Sequence, residues 1–211
     1  LSTFQTIFYN AWSVSAITEF DKDDKDGFIG NMYSLYMCVS TVGCSAILIF
    51  NKVLANMLYA KDFYDAWRCV PFLLLGVAFN GIALFEGCLF TAVKKTKEVS
   101  RTTIVGAIVN TIVNFALIPF FSSVGAAFAT MIGYFTVWIV RTVSLQKIIR
   151  MKVNWVKQVV CIIILFVQVF LALNSNVVTI SLQIICLMIL VFLQHISIKK
   201  VVCKLLTKIK R

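Results

Sequence analysis

Apolar residues run through this chain in blocks that charged residues do not enter. Residues 1–18, 27–51, 102–140 and 158–198 contain no Lys, Arg, Asp or Glu, and Glu86 is the lone charged residue in a fifth block, 69–93. A hydrocarbon core about 30 Å thick takes about 20 apolar residues per helix, so the two longest blocks are each long enough to cross twice. Both have a break near the middle, at Pro119-Phe120-Phe121-Ser122-Ser123 and at Asn174-Ser175-Asn176. The pattern therefore predicts two tight helical hairpins with uncharged turns. In all it predicts seven membrane segments, at 1–18, 28–50, 70–93, 102–118, 123–140, 157–173 and 177–195. The predicted fold class is all-α, a polytopic membrane helical bundle over residues 1–195 with a separate tail at 196–211.

Composition points the same way. The 211 residues are 60% hydrophobic and 14% charged, with a mean hydropathy of +0.92, outside the usual range of soluble domains. The net charge of +11 does not imply nucleic acid, because the basic residues lie between apolar spans and not along one polar surface. They report topology instead. When the gaps are sorted by side, 17 of the 20 Lys and Arg fall together: those at 19–26, 94–101 and 141–157 and in the tail. Only Lys52, Lys61 and Arg68 fall opposite. By the positive-inside rule the rich side, with the carboxyl terminus, is cytoplasmic.

The chain opens at Leu1 directly into an apolar stretch, without an initiator Met or a basic leader. The expectation is a first helix that is truncated, with earlier sequence missing. In the tail, Ile198, Val201, Val202, Leu205, Leu206 and Ile209 share one helical face, and Lys200, Lys204, Lys208 and Arg211 the other. Such a helix is suited to lie on the anionic inner leaflet, so membrane lipids are expected partners.

Catalytic and metal chemistry find no frame. The seven cysteines form no CxxC pair and read as small apolar fillers, while His195 stands alone. The acidic run Glu19, Asp21, Asp23, Asp24 and Asp26 lacks the spacing of a calcium loop and reads as a solvated loop. No cofactor and no enzymatic activity are expected. The candidate functional residues lie inside the spans. Gly106, Asn110 and Asn114 follow one another at single-turn spacing, and Gly125, Ala129 and Gly133 do the same in the next helix. Each stripe suits close helix packing or the lining of a substrate path. Glu86 is the sharpest candidate. A carboxylate within the bilayer must be neutral, partnered or facing an aqueous cavity, and no Lys or Arg occurs near mid-span to pair with it.

Several segments together resemble one family. The run Phe63-Tyr64-Asp65-Ala66-Trp67-Arg68-Cys69-Val70-Pro71-Phe72-Leu73-Leu74-Leu75 resembles the segment preceding a membrane helix in bacterial polysaccharide flippases, the O-antigen and teichuronic-acid exporters of the MATE-like superfamily. Ala92-Val93-Lys94-Lys95-Thr96-Lys97 resembles their cytoplasmic basic turn. Asn110, Asn114, Pro119 and Gly125-Ala126-Ala127-Phe128-Ala129-Thr130 resemble the hairpin that follows, and Phe8-Tyr9-Asn10-Ala11-Trp12 an earlier aromatic-amide element. The chain departs from the family pattern at Phe120 and Ser122, where a basic residue and a glycine are the rule.

The resemblance covers nearly the whole chain, as the carboxyl-terminal part of such a protein. It implies the second lobe of a two-lobed, alternating-access flippase plus two extra carboxyl-terminal helices, in the bacterial cytoplasmic membrane. The implied substrate is a lipid-diphosphate-linked oligosaccharide. The implied partners are the missing first lobe, a polysaccharide polymerase and other glycan-assembly proteins. Asn10 and Trp12 join Glu86, Asn110 and Asn114 as candidate transport residues. Two alternatives stay open: a cation-coupled multidrug exporter on the same fold, and a non-transporting scaffold or truncated gene product. A membrane glycosyl- or acyltransferase is disfavoured by the absence of acid and His constellations.

Overall fold

The computed structural model describes residues 2–18, 20–58, 61–174 and 176–209, excluding the side chains of residues 2, 4, 61–64, 177 and 196–209. Glu19 of the acidic loop, Ser175 of the second turn and the side chains of the basic tail thus lie outside the described residues. Every regular element among the described residues is helical: α1 Ser2–Thr18, α2 Phe28–Ile49, α3 Asn51–Leu58, a 3-10 helix Lys61–Arg68, α4 Val70–Ala92, α5 Thr96–Gln146, α6 Trp155–Ala172 and α7 Val177–Ile209. Five of them, α2, α4, α5, α6 and α7, contain stretches long and apolar enough to cross a membrane.

The 51-residue α5 is two helices. It reverses at Ser122, whose backbone takes φ 48° and ψ −126°, so an outbound arm, 96–121, and a return arm, 123–146, run antiparallel. The pairing is visible in the contacts. Arg141 Nε donates to Thr102 Oγ1 at 3.0 Å, and a β carbon at Gly133 would lie 2.8 Å from Asn110 Cβ. At Gly106 it would lie 2.9 Å from the Gly133 carbonyl and would overlap Val137. The two small-residue stripes therefore meet in one seam, and only glycine permits that approach. Seven membrane segments were expected; five helices are long and apolar enough to cross, one of them folded into two arms, and α1, at 17 residues, is not among the five.

The reversal has a local cost. Ser122 occupies a conformation that favours glycine, the left-handed first corner of a tight turn. Ser122→Gly is therefore expected to stabilise the folded protein by about 1 kcal/mol. A thermal melt in detergent checks this, with a higher midpoint for the variant as the expected result.

The second hairpin, α6 with α7, closes through side chains. Gln168 Nε2 donates to the Gln183 carbonyl at 3.0 Å, and Gln194 Nε2 to Cys161 Sγ at 3.4 Å. At the centre stands α4, which packs against α1, α2, α5 and α6. Its Phe85 ring stacks on Trp12 of α1 at 4.2 Å and 10°, and Trp12 Nε1 donates to the Phe85 carbonyl at 3.1 Å. Further along, Phe79 touches Phe135, Trp138 and Phe166, drawing the return arm of α5 and α6 onto the same helix.

The three basic gaps expected to share a side do share one end of the bundle. The Arg150 N–H donates to the Lys22 carbonyl at 3.1 Å, and Lys152 Nζ to the Lys25 carbonyl at 2.7 Å. Lys94 to Arg101 face Ser144, Lys147 and Ile148 across a shallow depression. The acidic loop is largely solvated, as expected, with Asp23 and Asp26 exposed, but one residue departs from that reading. Asp24, only 1% exposed, accepts hydrogen bonds from the Ile29 and Gly30 N–H groups at 3.0 Å each and from the Lys152 N–H at 3.1 Å. It serves as a cap for the start of α2 and as the tie between the 20–27 and 147–154 loops. Asp21 accepts from the N–H groups of Lys25 and Asp23 at 2.8 and 3.1 Å, and these bonds hold its carboxyl below the usual range. That contribution is present above about pH 4 and is lost as pH falls through the lowered value.

At the other end, Trp67 is clamped between Asn51, whose Nδ2 donates to its carbonyl at 3.1 Å, and Lys52, whose Nζ sits 4.4 Å from its ring.

Candidate functional site

Glu86 is fully buried, at 0% exposure. Thr142, on the return arm of α5, donates its hydroxyl to Glu86 Oε1 at 2.6 Å. The Tyr33 phenol of α2 lies beside the same carboxyl and accepts from Trp138 Nε1 at 3.2 Å. Glu86 Oε2 has no hydrogen-bond partner among the described residues.

The next residue along, Arg141, is the buried cation that the charge pattern had placed in a loop. It is 3% exposed. Its guanidinium donates to the Ala83 carbonyl at 2.6 Å, to the Val99 carbonyl at 3.1 Å, and to the Thr102 and Thr103 hydroxyls at 3.0 Å each. The reason for the error is physical. A charge-free window marks where lipid can surround a helix, not where the helix ends, and the return arm continues to Gln146. From there a long Arg side chain reaches back into the bundle.

Glu86 lies six residues from Ala92, the end of α4, or about 9 Å at the helical rise. It thus sits toward the basic end and not at mid-span. One acid and one base, from α4 and the return arm, are held with hydroxyls from α2 and both arms of α5. The two groups make no direct ion pair, but their opposite charges lie near each other, which lowers the cost of placing each in a membrane interior.

The other predicted residues are dispersed. Trp12 abuts this cluster through Phe85, as a buried packing residue. Asn10 is exposed on α1. Asn110 and Asn114 are half-buried and satisfy each other, Asn114 Nδ2 donating to Asn110 Oδ1 at 2.7 Å. Asn110 packs on Gly133 in the α5 seam, and Asn114 borders a shallow apolar depression with Thr111, Phe115, Ile118 and Pro119. The structure does not bring the amides together with Glu86.

Four residues went unnoticed in the sequence: Gln158, Gln168, Gln183 and Gln194, all buried in the second hairpin, each with a side-chain oxygen lacking a partner among the described residues. A signal was present for two of them. Gln183 and Gln194 are eleven residues apart, three helical turns, and so share a face.

The fold and this site define a polytopic all-α membrane protein with an ionisable pair in its interior. A stretch of 101 residues, 48% of the chain, is 28% identical to an uncharacterized membrane protein of Methanocaldococcus jannaschii. The chain spans about a fifth of that relative's length, the match covering 20% of it. No family model matches the chain, and no solved structure matches it significantly.

Proposed function

We propose that the chain is part of a membrane transporter that flips a lipid-diphosphate-linked oligosaccharide across the cytoplasmic membrane by alternating access, contributing the second of two lobes. The observation that carries this reading is the acid and base in the bundle interior, Glu86 and Arg141. Ionisable residues in a membrane interior are costly, and they are characteristic of proteins that move ions or substrates. The ordered run of flippase-like segments supplies the substrate class.

A cation-coupled multidrug exporter is the second reading, favoured by the unpartnered Glu86 Oε2. A photoreactive polyprenyl-diphosphate-linked trisaccharide separates the two. The chain in membranes is expected to be labelled by it, with competition from the unlabelled glycolipid and none from lipophilic cationic drugs. Competition by the drugs alone favours the exporter. Labelling no stronger than that given by a photoreactive polyprenol lacking diphosphate and sugar overturns the flippase reading.

A further inference from the structure

Where the α4–α5 turn meets the far end of α5, the basic end of the bundle is concave. A depression of about 570 Å³ is lined by Lys94, Lys95, Lys97, Arg101 and Lys147, with Ser144 and Ile148 at its floor and Glu98 the one acid. Glu98 is engaged by Arg101 at 3.8 Å, which leaves an excess of positive charge facing an open hollow. We propose that this hollow binds the doubly charged phosphate headgroup of an anionic phospholipid.

Three observations carry the assignment. The first is charge: five cations against one acid create a local field that a single phosphate diester would not neutralise, whereas a phosphate monoester or a pair of phosphates would come closer. The second is backbone. Lys94 is the left-handed residue that ends α4, with φ 58°, and it closes the helix with the bonds Lys95 N–H to Phe90 carbonyl at 2.8 Å and Lys94 N–H to Thr91 carbonyl at 3.0 Å. That terminus favours glycine, so a lysine there holds a cation over the hollow against the local preference of the chain. The third is position. The hollow lies at the end of membrane-spanning helices, where headgroups lie. Ile104 and Ile108, both more than half exposed, continue from Arg101 along the outbound arm of α5 at i+3 and i+7 and offer an acyl chain a track. Basic pockets between membrane helices are suited to multiply charged headgroups. The assignment does not depend on what the protein transports.

The test uses the full chain, purified and stripped of lipid, with native mass spectrometry reading bound phosphatidic acid, phosphatidylglycerol or phosphatidylcholine. Phosphatidic acid is expected to be retained at least fivefold more than the other two. Lys94→Gly, which relieves the left-handed strain, is expected to raise the melting temperature and still lower phosphatidic acid retention, so a loss of binding is not a loss of fold. Lys94→Gln/Lys147→Gln is expected to lower retention at least fivefold. Lys25→Gln/Lys157→Gln removes the same charge from the same end and is expected to leave it unchanged. Equal losses in the two double variants would show general charge attraction and overturn the site. Retention that ignores headgroup charge would overturn it as well. Displacement of the lipid by millimolar inorganic phosphate, with phosphate then bound alone, would assign the hollow to a soluble phosphate and overturn the lipid assignment.

Discussion

Replacing Arg141 with methionine is expected to lower the stability of the folded protein by about 3 kcal/mol, the order for losing a buried charged group's hydrogen bonds together. The methionine keeps much of the apolar stem but removes the four hydrogen bonds that the guanidinium gives to the Ala83 and Val99 carbonyls and the Thr102 and Thr103 hydroxyls. It also leaves Glu86 buried without the nearby cation. Arg141→Lys is expected to fall between the two, because three donors on a flexible stem cannot meet four acceptors spread over two helices. Glu86→Gln removes the charge and keeps the shape. In the double variant Glu86→Gln/Arg141→Met the loss should therefore be smaller than the sum of the single losses, with a coupling of about 1–3 kcal/mol. Detergent-phase unfolding of the four proteins closes the cycle. Additive losses would show that the two groups do not sense each other. An Arg141→Met protein as stable as wild type would remove the polar cluster from any account of this fold.

Asp24→Ala is expected to cost about 3 kcal/mol, since two buried N–H groups, of Ile29 and Gly30, and the part-buried one of Lys152 lose their acceptor at once. The effect should be local as well as global, because the same carboxylate ties two loops together. Limited proteolysis is expected to cut the variant within 147–154 sooner than wild type, and a melt should show the lost stability. Asp24→Asn, which tolerates the left-handed φ of 46° and keeps one accepting oxygen, should cost less. Equal proteolysis of Asp24→Ala and wild type would mean that the loops are held by the flanking helices alone.

The contrast between Glu86 and Arg141 shows how far the sequence could be read. The helical class, the two hairpins and the sharing of one end by three basic gaps follow from where charge is absent, a property of the linear chain. Glu86 stood out for the same reason. Arg141 was hidden because its charge lies at the edge of a window, and only the packing of the α5 arms on α4 reveals which way the side chain turns. Asp24 was hidden among four other acidic residues, since nothing in its local sequence distinguishes a carboxylate that reaches 128 residues away to the Lys152 N–H. The amide stripe was legible as a face, and its neighbour across the seam became visible only with Gly133 in place.

The central position of α4 sets different rules for different parts of the chain as it drifts over evolution. In its most apolar stretch 72% of residues are buried in protein, against 6% in that of α5. Lipid asks of a residue only that it be apolar, so Ile, Leu, Val and Phe can exchange along the outer face of α5 with little consequence. Residues of α4 answer to neighbours of fixed volume on four helices, and a change there must be matched by another. Two descendants of this protein would therefore diverge fastest where they look most hydrophobic from outside, and would stay recognisable longest along the one helix that the membrane hardly touches.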